Sequence, residues 1–336
     1  MPCLDPRRVI LRAVPDTVPR PEDFEVIEAT PQTTLEDGQV RVRACLFGLN
    51  AGLRSRLGTG RSTTFGPAIG IGDTPESDAV AVVTASAHPG FSTGDTVVGS
   101  IPWTTSAQVQ GGSLRRIDPG SDPLRHLTIL GHVGRTAWVG LVTVGRLAPG
   151  QTVWISAAAG GVGTCAVQFA QRLGARVIAS ASGAERLAYL SDTLGVDAVM
   201  DRRRDLPTQL GALAPDGIDL YLDSVGGEHL TTALAALRDN GTAVLAGRVG
   251  GNDHLPVLHD TSLLIRKRLS LKGFSVTDHP GAQAEVEQFA ADADNQPDLR
   301  PVATVRLGMD NLPEAFCDLF AGGFIGRGVV EVGSQG

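Results

Sequence analysis

The chain has 336 residues, a length that suits two domains of ordinary size. Hydrophobic residues make up 42% and charged residues 19%, the balance of a globular chain, and aromatics at 4% require a mostly aliphatic core. A formal net charge of −7 argues against a nucleic-acid or anionic-membrane partner, either of which calls for a basic face.

Taken in order, residues 39–49 (QVRVRACLFGL), 78–86 (DAVAVVTAS) and 95–101 (DTVVGSI) are short β-rich runs separated by Gly, Pro and Asp, the pattern of a barrel-like or partly open β domain. The character changes near residue 122. A helical stretch is predicted over 124–147, stopped by the Pro and Gly of APGQ. Strands and helices then alternate: TVWISAA, a helix over 162–173, ARVIAS, a helix over 184–194, DAVMD, GIDLYLDSV, a helix over 228–237, GTAVLAG and LSLKGFS. That alternation predicts an α/β fold in which a doubly wound parallel sheet carries helices on both faces. The tail, with VATVRL, a helix over 312–320 and GRGVVEV, is β-rich again and is expected to return to the first domain. The expected division is therefore 1–122 with 302–336, and 123–301. No apolar run of 18 residues occurs and MPCLDPRRVI lacks the apolar segment of a signal peptide, so a cytoplasmic protein is expected. Cysteines 3, 45, 165 and 317 form no pair or cluster with ligand spacing, which suggests neither a disulfide frame nor a zinc lobe.

The stretch WISAAAGGVGTCAVQFAQRLGARVIAS, residues 154–180, reads as strand, glycine turn, helix and second strand. In the dinucleotide fingerprint three glycines make the tight turn, admit the pyrophosphate and let helix and strand pack closely. The matching places here are Ala158, Gly160 and Gly163, so the first is alanine. Amides at Gly160, Gly161, Val162 and Gly163 would hold the pyrophosphate, aided by the helix dipole. NAD-binding folds place an Asp or Glu about 20 residues beyond the turn to take the ribose hydroxyls. Here Ser180, Ser182 and Gly183 stand there, Arg186 follows one turn into the next helix, and Arg202 follows the third strand. Guanidinium suits a phosphate dianion, which selects NADP. The plain alternatives are a solvated helix residue for Arg186 and a solvated turn for Arg202, Arg203 and Arg204.

On these motifs the chain resembles the zinc-independent medium-chain dehydrogenases/reductases, and within them the prostaglandin reductase, leukotriene B4 12-hydroxydehydrogenase and 2-alkenal (double-bond) reductase group. The resemblance rests on AAAGGVG, GIDLYLDSVGGEHL, GTAVLAG, LSLKGFSV and GRGVVEV, and extends into the first domain through GLNAGLRSR and IPWTTSAQV. It implies a GroES-like β domain built from both termini beside a central Rossmann domain. It also implies NADPH-dependent reduction of the activated C=C bond of an enone or enal, a small-molecule substrate, and a homodimer. No metal is implied, because a conjugated alkene delivers its negative charge to an oxygen that hydrogen bonds can hold. Carried over residue by residue, the resemblance sets Ser224 and Val225 along the cofactor, and Gly247, Arg248, Phe274 and Ser275 near its nicotinamide ribose and carboxamide. Arg202 stands where the group has a tyrosine against the 2′-phosphate.

Two departures bear on chemistry. The tyrosine beyond the fifth strand is replaced by Asn252, and the first-domain Asp-Pro-Tyr run reads Asn50, Ala51, Gly52. The only tyrosines, Tyr189 and Tyr221, fall inside Rossmann elements. Asn252, Asn50, a cofactor hydroxyl or a backbone amide is then left to hold an enolate oxygen. An Asn amide cannot supply a proton, so the donor is water or a histidine, His254 or His132, each of which is equally readable as a surface or helix-end residue. Trp103 and Trp138 read either as pocket lining or as core, and Cys45 as a buried strand residue. Quinone reduction, or a non-redox role for a retained cofactor site, are the competing readings.

Overall fold

The computed structural model describes residues 6–30, 34–58, 66–247, 261–292 and 298–332. The chain divides into two compact units, Met1–Leu127 with Ala303–Gly336, and Thr128–Val302.

Alternating burial builds the first unit. Along Gln39–Gly48 the side chains of Val40, Val42 and Ala44 are buried while Arg41 and Arg43 are half-exposed, the period of two expected of a sheet with one face on a core. The seven-stranded sheet runs in the order Ala303–Leu307, Arg327–Glu331, Gln39–Gly48, Glu76–Ser86, Thr96–Pro102 and Arg115–Arg116, with Ser106–Gln110 paired to Gln39–Gly48. Residues from both ends of the chain thus share one sheet. Helix Leu312–Ala321 presses Leu312, Ala315 and Phe316 into the same core, where Phe24, Trp103 and Phe316 pack ring against ring at centroid separations of 5.6–6.0 Å. Trp103 is fully buried and donates to Ser77 Oγ at 3.0 Å, so it is core and not pocket lining.

One ionic contact fastens the returning strand. Arg327 is 2% exposed, donates to Asp78 Oδ2 at 3.0 Å and to the carbonyls of Gly48 and Leu127. A Cβ at Gly48 would stand 2.7 Å from the guanidinium carbon, so only glycine leaves room for it. The same contact draws helix Pro123–Leu127 into this unit, where Leu127 packs with Val80, Val98, Ile117 and Val329.

In the second unit six strands form a parallel sheet: β1 (Thr152–Ile155), β2 (Arg176–Ala181), β3 (Ala198–Asp201), β4 (Ile218–Asp223), β5 (Leu237–Leu245) and β6 (Ser270–Gly273). Their spatial order is β3-β2-β1-β4-β5-β6, with the reversal of direction between β1 and β4 that defines a doubly wound dinucleotide fold. Both faces are buried, and neighbouring residues take opposite sides. Val153, Ile155, Val177, Ala179, Leu220 and Leu222 pack with helix α1 (Gly161–Arg172). Trp154, Ile178 and Tyr221 pack on the other face with α2 (Leu206–Leu213) and α3 (Glu228–Ala236).

The helix expected over 124–147 is broken. Helix Pro123–Leu127 stops, the chain turns, and a second helix, His132–Trp138, runs on into a π-helical Val139–Val144. The fold-back brings two stretches of backbone close together: a Cβ at Gly134 would meet the Ile129 carbonyl oxygen at 1.9 Å, so glycine at 134 is what permits the turn. The strands expected at 39–49, 78–86, 95–101, 302–307 and 326–332 all form, each within two or three residues of the expected ends. Among the described residues no helix is long and apolar enough to cross a membrane.

The Arg327 contact sets a stability expectation. Replacing Asp78 by alanine leaves a buried guanidinium without its counter-charge, and should reduce the unfolding free energy of the first unit by about 3 kcal/mol. An earlier urea transition would report this, and an unchanged midpoint would contradict it.

Candidate functional site

The strand β1 ends in an apolar stretch, and the chain must then turn sharply to start α1. Ala157 takes the left-handed conformation at φ 47°, so the strained position of the turn falls on Ala157 and not on Ala158, where the glycine spacing put it. An alanine there costs about 1–2 kcal/mol, which the surrounding contacts hold in place. Gly160 N donates to Ala157 O at 2.9 Å, and Gly160 caps α1 in an extended conformation. A Cβ at Gly163 would stand 2.4 Å from Ala157 O and 2.6 Å from Ala158 Cα, both backbone atoms. Glycine at 163 is therefore what lets α1 lie against the turn. The first amides of α1, at Gly161, Val162 and Gly163, have no partner within the helix and lie at its positive end.

Beside this turn, a buried polar network holds the loop after β4. Asp223 is 1% exposed, and its Oδ1 accepts from Tyr221 Oη, from Val225 N and from Gly226 N, all at 2.8–2.9 Å. Ser156 Oγ, at the end of β1, accepts from Ser224 N at 2.8 Å. The Asp223 carbonyl accepts from Ala246 N and Gly247 N beyond β5. One residue thus fixes Val225 and Gly226 through its side chain and Gly247 through its backbone. Burial and the Asp223 charge push the Tyr221 phenol well above its ordinary range, so it stays a neutral donor. The sequence pattern singled out Ser224 and Val225 but not Ser156, Asp223 or Tyr221. The available signal was an acid at a strand's carboxyl end followed by two glycines, whose φ angles are 79° and 60°.

At the far side of β1, Arg186 donates to Ser182 O at 3.0 Å, which keeps its guanidinium at the turn after β2. The three consecutive arginines after β3 behave differently. Arg203 closes on Asp201 at 2.8 Å, and that hydrogen-bonded guanidinium lowers the Asp201 carboxyl to about 2. Arg202 hydrogen-bonds through its amide to Ala181 O at 2.9 Å, while its exposed side chain makes no hydrogen bond or ion pair among the described residues. A cation is therefore available where β2 and β3 end, beside Ser182.

Phe274 and Ser275 follow β6. The Phe274 ring lies 3.5 Å from where a Cβ of Gly140 would be, and Ser275 Oγ bonds to Thr277 Oγ1 at 2.7 Å. Trp138 donates to Glu285 Oε2 and packs against Phe169 and Phe289, which makes it core. Asn50 caps the short helix Ala51–Arg56, its Oδ1 accepting from Gly52 N at 2.8 Å, so the Nδ2 edge is the one left to donate. Cys45 sits half-buried on its strand, and burial raises its thiol pKa, as a packing residue would show. Asn252, His254 and Arg248 lie outside the described residues.

The site fits a dinucleotide. The close approach at Gly163 with the outward amides of α1 after β1, and the cation of Arg202 after β3, are the kinds of group that suit a pyrophosphate and a terminal phosphate. Among the described residues no group of three or more His, Cys, Asp or Glu could hold a metal ion.

A doubly wound sheet with this turn, in a chain that also carries a mostly antiparallel β unit built from both of its ends, is the architecture of the medium-chain dehydrogenase/reductase class. Residues 161–293 match the family model described as zinc-binding dehydrogenase, and residues 7–117 match the N-terminal domain of oxidoreductase. The chain is 30% identical over 342 residues to the NADPH-dependent curcumin reductase of Escherichia coli (strain K12), covering 97% of this chain and 96% of that protein. It is 29% identical to the 2-alkenal reductase (NADP(+)-dependent) of Nicotiana tabacum over 98% of both chains. The crystal structure of CurA in complex with NADPH from Vibrio vulnificus superposes with a TM-score of 0.88 at 27% identity, covering 98% of this chain and 100% of that one. The chain belongs to the medium-chain dehydrogenase/reductase family, in the group that contains the curcumin, 2-alkenal and prostaglandin reductases.

A pH dependence follows from His229, in the first turn of α3. It is 7% exposed, stacks on Trp154 at 27° and 5.8 Å, and its Nε2 has no hydrogen-bond partner. Burial lowers its pKa, with Arg202 adding to the shift and Asp223 opposing it. A histidine with a depressed folded-state pKa binds its proton better when unfolded. Its contribution to stability is therefore complete above an unfolded value of about 6.5 and is lost as pH falls below it. His229→Phe should keep the stacking and flatten the fall in melting temperature between neutral and mildly acidic pH. An unaltered pH slope would rule this group out as its source.

Proposed function

We propose that the protein is an NADPH-dependent reductase of activated C=C bonds in α,β-unsaturated carbonyl compounds. The carrying observation is the Gly163 contact, which opens the turn at residues 157–163 to a pyrophosphate within a chain related over nearly its full length to NADPH-dependent enone and enal reductases.

In this reading the amides at Gly160, Gly161, Val162 and Gly163 hold the pyrophosphate, and Ser182, Arg186 and Arg202 hold the 2′-phosphate. Ser224 and Val225 support the middle of the cofactor, on a loop that Ser156 and Asp223 keep rigid. Gly247, Arg248, Phe274 and Ser275 border its nicotinamide end. When bound, NADPH supplies the hydride for the β-carbon of the substrate. The chain's own part is to receive the charge that develops on the carbonyl oxygen and to deliver a proton to the α-carbon. Asn50, through Nδ2, and Asn252 are the neutral donors for that oxygen, in the role that phenols fill in the family pattern. His254 or a water molecule supplies the proton, because neither amide can. The reading extends to a cytoplasmic location, in keeping with the free thiols of Cys45 and Cys317, and to a homodimer.

The test is a panel of enals, enones and quinones mixed with NADPH, followed by loss of the reduced-nicotinamide absorbance. Turnover of enones or enals supports the proposal. Quinone reduction alone would replace it, and NADPH binding without any turnover would leave only a cofactor-binding role. Changing both Arg186 and Arg202 to alanine should erase the preference for NADPH over NADH, a loss of about 100-fold in relative kcat/KM for two charge-assisted contacts. A preserved cofactor ratio would show that other groups read the phosphate.

A further inference from the structure

The order of strands reverses between β1 and β4, and in a doubly wound sheet a dinucleotide lies in the crevice outside the carboxyl ends of those two strands. Two segments border it, the glycine turn after β1 and residues 224–227 after β4. Neither is held by a ladder of backbone hydrogen bonds. Ala157 takes a φ of 47°, and Gly226 and Gly227 take 79° and 60°. Both segments therefore depend on side chains beneath them to keep one shape.

A single buried cluster does this for both. Ser156 is 0% exposed and directly precedes the strained Ala157. Its Oγ accepts from Ser224 N at 2.8 Å, and lies 3.3 Å from Asp223 Oδ1 and from the Leu222 carbonyl oxygen with one proton to give. The same Oδ1 accepts from Tyr221 Oη at 2.9 Å and from the amides of Val225 and Gly226. The Tyr221 ring lies 4.6 Å from that of Trp154, two residues before Ser156 on β1. The Trp154 indole donates to Ser180 Oγ, and the Ser180 carbonyl accepts from Ala158 N of the turn.

The chemistry of the cluster assigns its role. Tyr221 is 0% exposed and already donates its proton to a carboxylate, so its phenol is closed to any ligand. A carboxylate oxygen has two lone pairs, and here three donors and the Ser156 hydroxyl converge on one. Removing either hydroxyl changes how that oxygen is shared among the rest. A site whose loops are ordered in advance spends less of its binding energy on ordering them.

We propose that Ser156 and Tyr221 are positioning residues for the cofactor: through Asp223 Oδ1 they lock the pyrophosphate turn and residues 224–227 to each other, so that NADPH meets both segments preset. The inference rests on the cofactor reading given above.

Ser156→Ala and Tyr221→Phe each delete one oxygen and keep the strand residue or the ring in place. Calorimetric titration of each protein gives Kd for NADPH and for adenosine 2′,5′-bisphosphate, which carries the 2′-phosphate but neither the pyrophosphate nor the nicotinamide. Each variant should weaken NADPH by about tenfold and the bisphosphate by less than about twofold. The double variant should weaken NADPH by about thirtyfold or less, short of the roughly hundredfold of two independent sites, because both hydroxyls serve one oxygen. KM for NADPH should rise with Kd, while kcat at saturating NADPH stays within about twofold on an enone that wild type reduces. Unchanged NADPH affinity in either single variant, equal weakening of both ligands, a double variant that multiplies the single effects, or a kcat that falls as far as the affinity would overturn the proposal. The expected pattern of affinities with no turnover of any enone or enal would remove the reductase activity and keep the positioning role. Wild-type protein that binds no NADPH would remove the cofactor reading and this proposal with it.

Discussion

The second unit is organised by a distance at which no side chain fits. Helix α1 approaches the end of β1 so closely that a single added carbon at Gly163 would overlap the backbone of Ala157 and Ala158. That approach forces Ala157 into a left-handed conformation, turns the first amides of α1 outward, and brings Ser156 to where it can receive Ser224 N. The strain at Ala157 and the close packing at Gly163 are two sides of one constraint. A phosphate-binding turn needs exposed amides at a helix start, and exposed amides need a chain that reverses within a few residues.

Asp223 extends the same logic to the next strand. A carboxylate buried at the end of β4 would be costly alone, but here it is saturated by a phenol and two backbone amides. It exchanges flexibility in the β4–α3 loop for a fixed edge along the sheet. His229 and Trp154 close the underside of that loop, with the imidazole held neutral by burial. The first unit uses a buried charge for a different purpose. Arg327 holds a strand from the end of the chain beside strands from its beginning, through Asp78 and two carbonyls, so the β unit closes without a continuous stretch of sequence.

Much of this was legible residue by residue. Alternating apolar runs with glycine and proline between them located eleven of the fifteen strands among the described residues, because burial on one or both faces of a sheet imposes its period directly on the side chains; Arg7–Leu11, Phe24–Glu28, Ser106–Gln110 and Arg115–Arg116 were not located. The glycine turn was legible for the same kind of reason, since few residue types tolerate its geometry. The break at residues 128–131 was not, because the chain folds back there in a close backbone crossing that glycine at 134 permits, and no periodicity records such a crossing. Nor could the three arginines after β3 be told apart. Arg203 is drawn to Asp201 and Arg202 is left available, a difference decided by which way each side chain leaves the strand. The roles of Trp103 and Trp138 were open for the same reason, and packing made both core.

The sequence by itself determined the doubly wound order of elements, the phosphate turn and the family, because these depend on local period, on backbone-permissive residues and on motifs short enough to read along the chain. Only the tertiary structure decided which polar groups are satisfied and which are left over. Asp223 and Arg327 are buried charges held by partners, whereas the exposed side chain of Arg202 makes no hydrogen bond or ion pair among the described residues. What separates a structural pair from an available binding group is the partner that long-range folding brings, or fails to bring, within hydrogen-bonding distance.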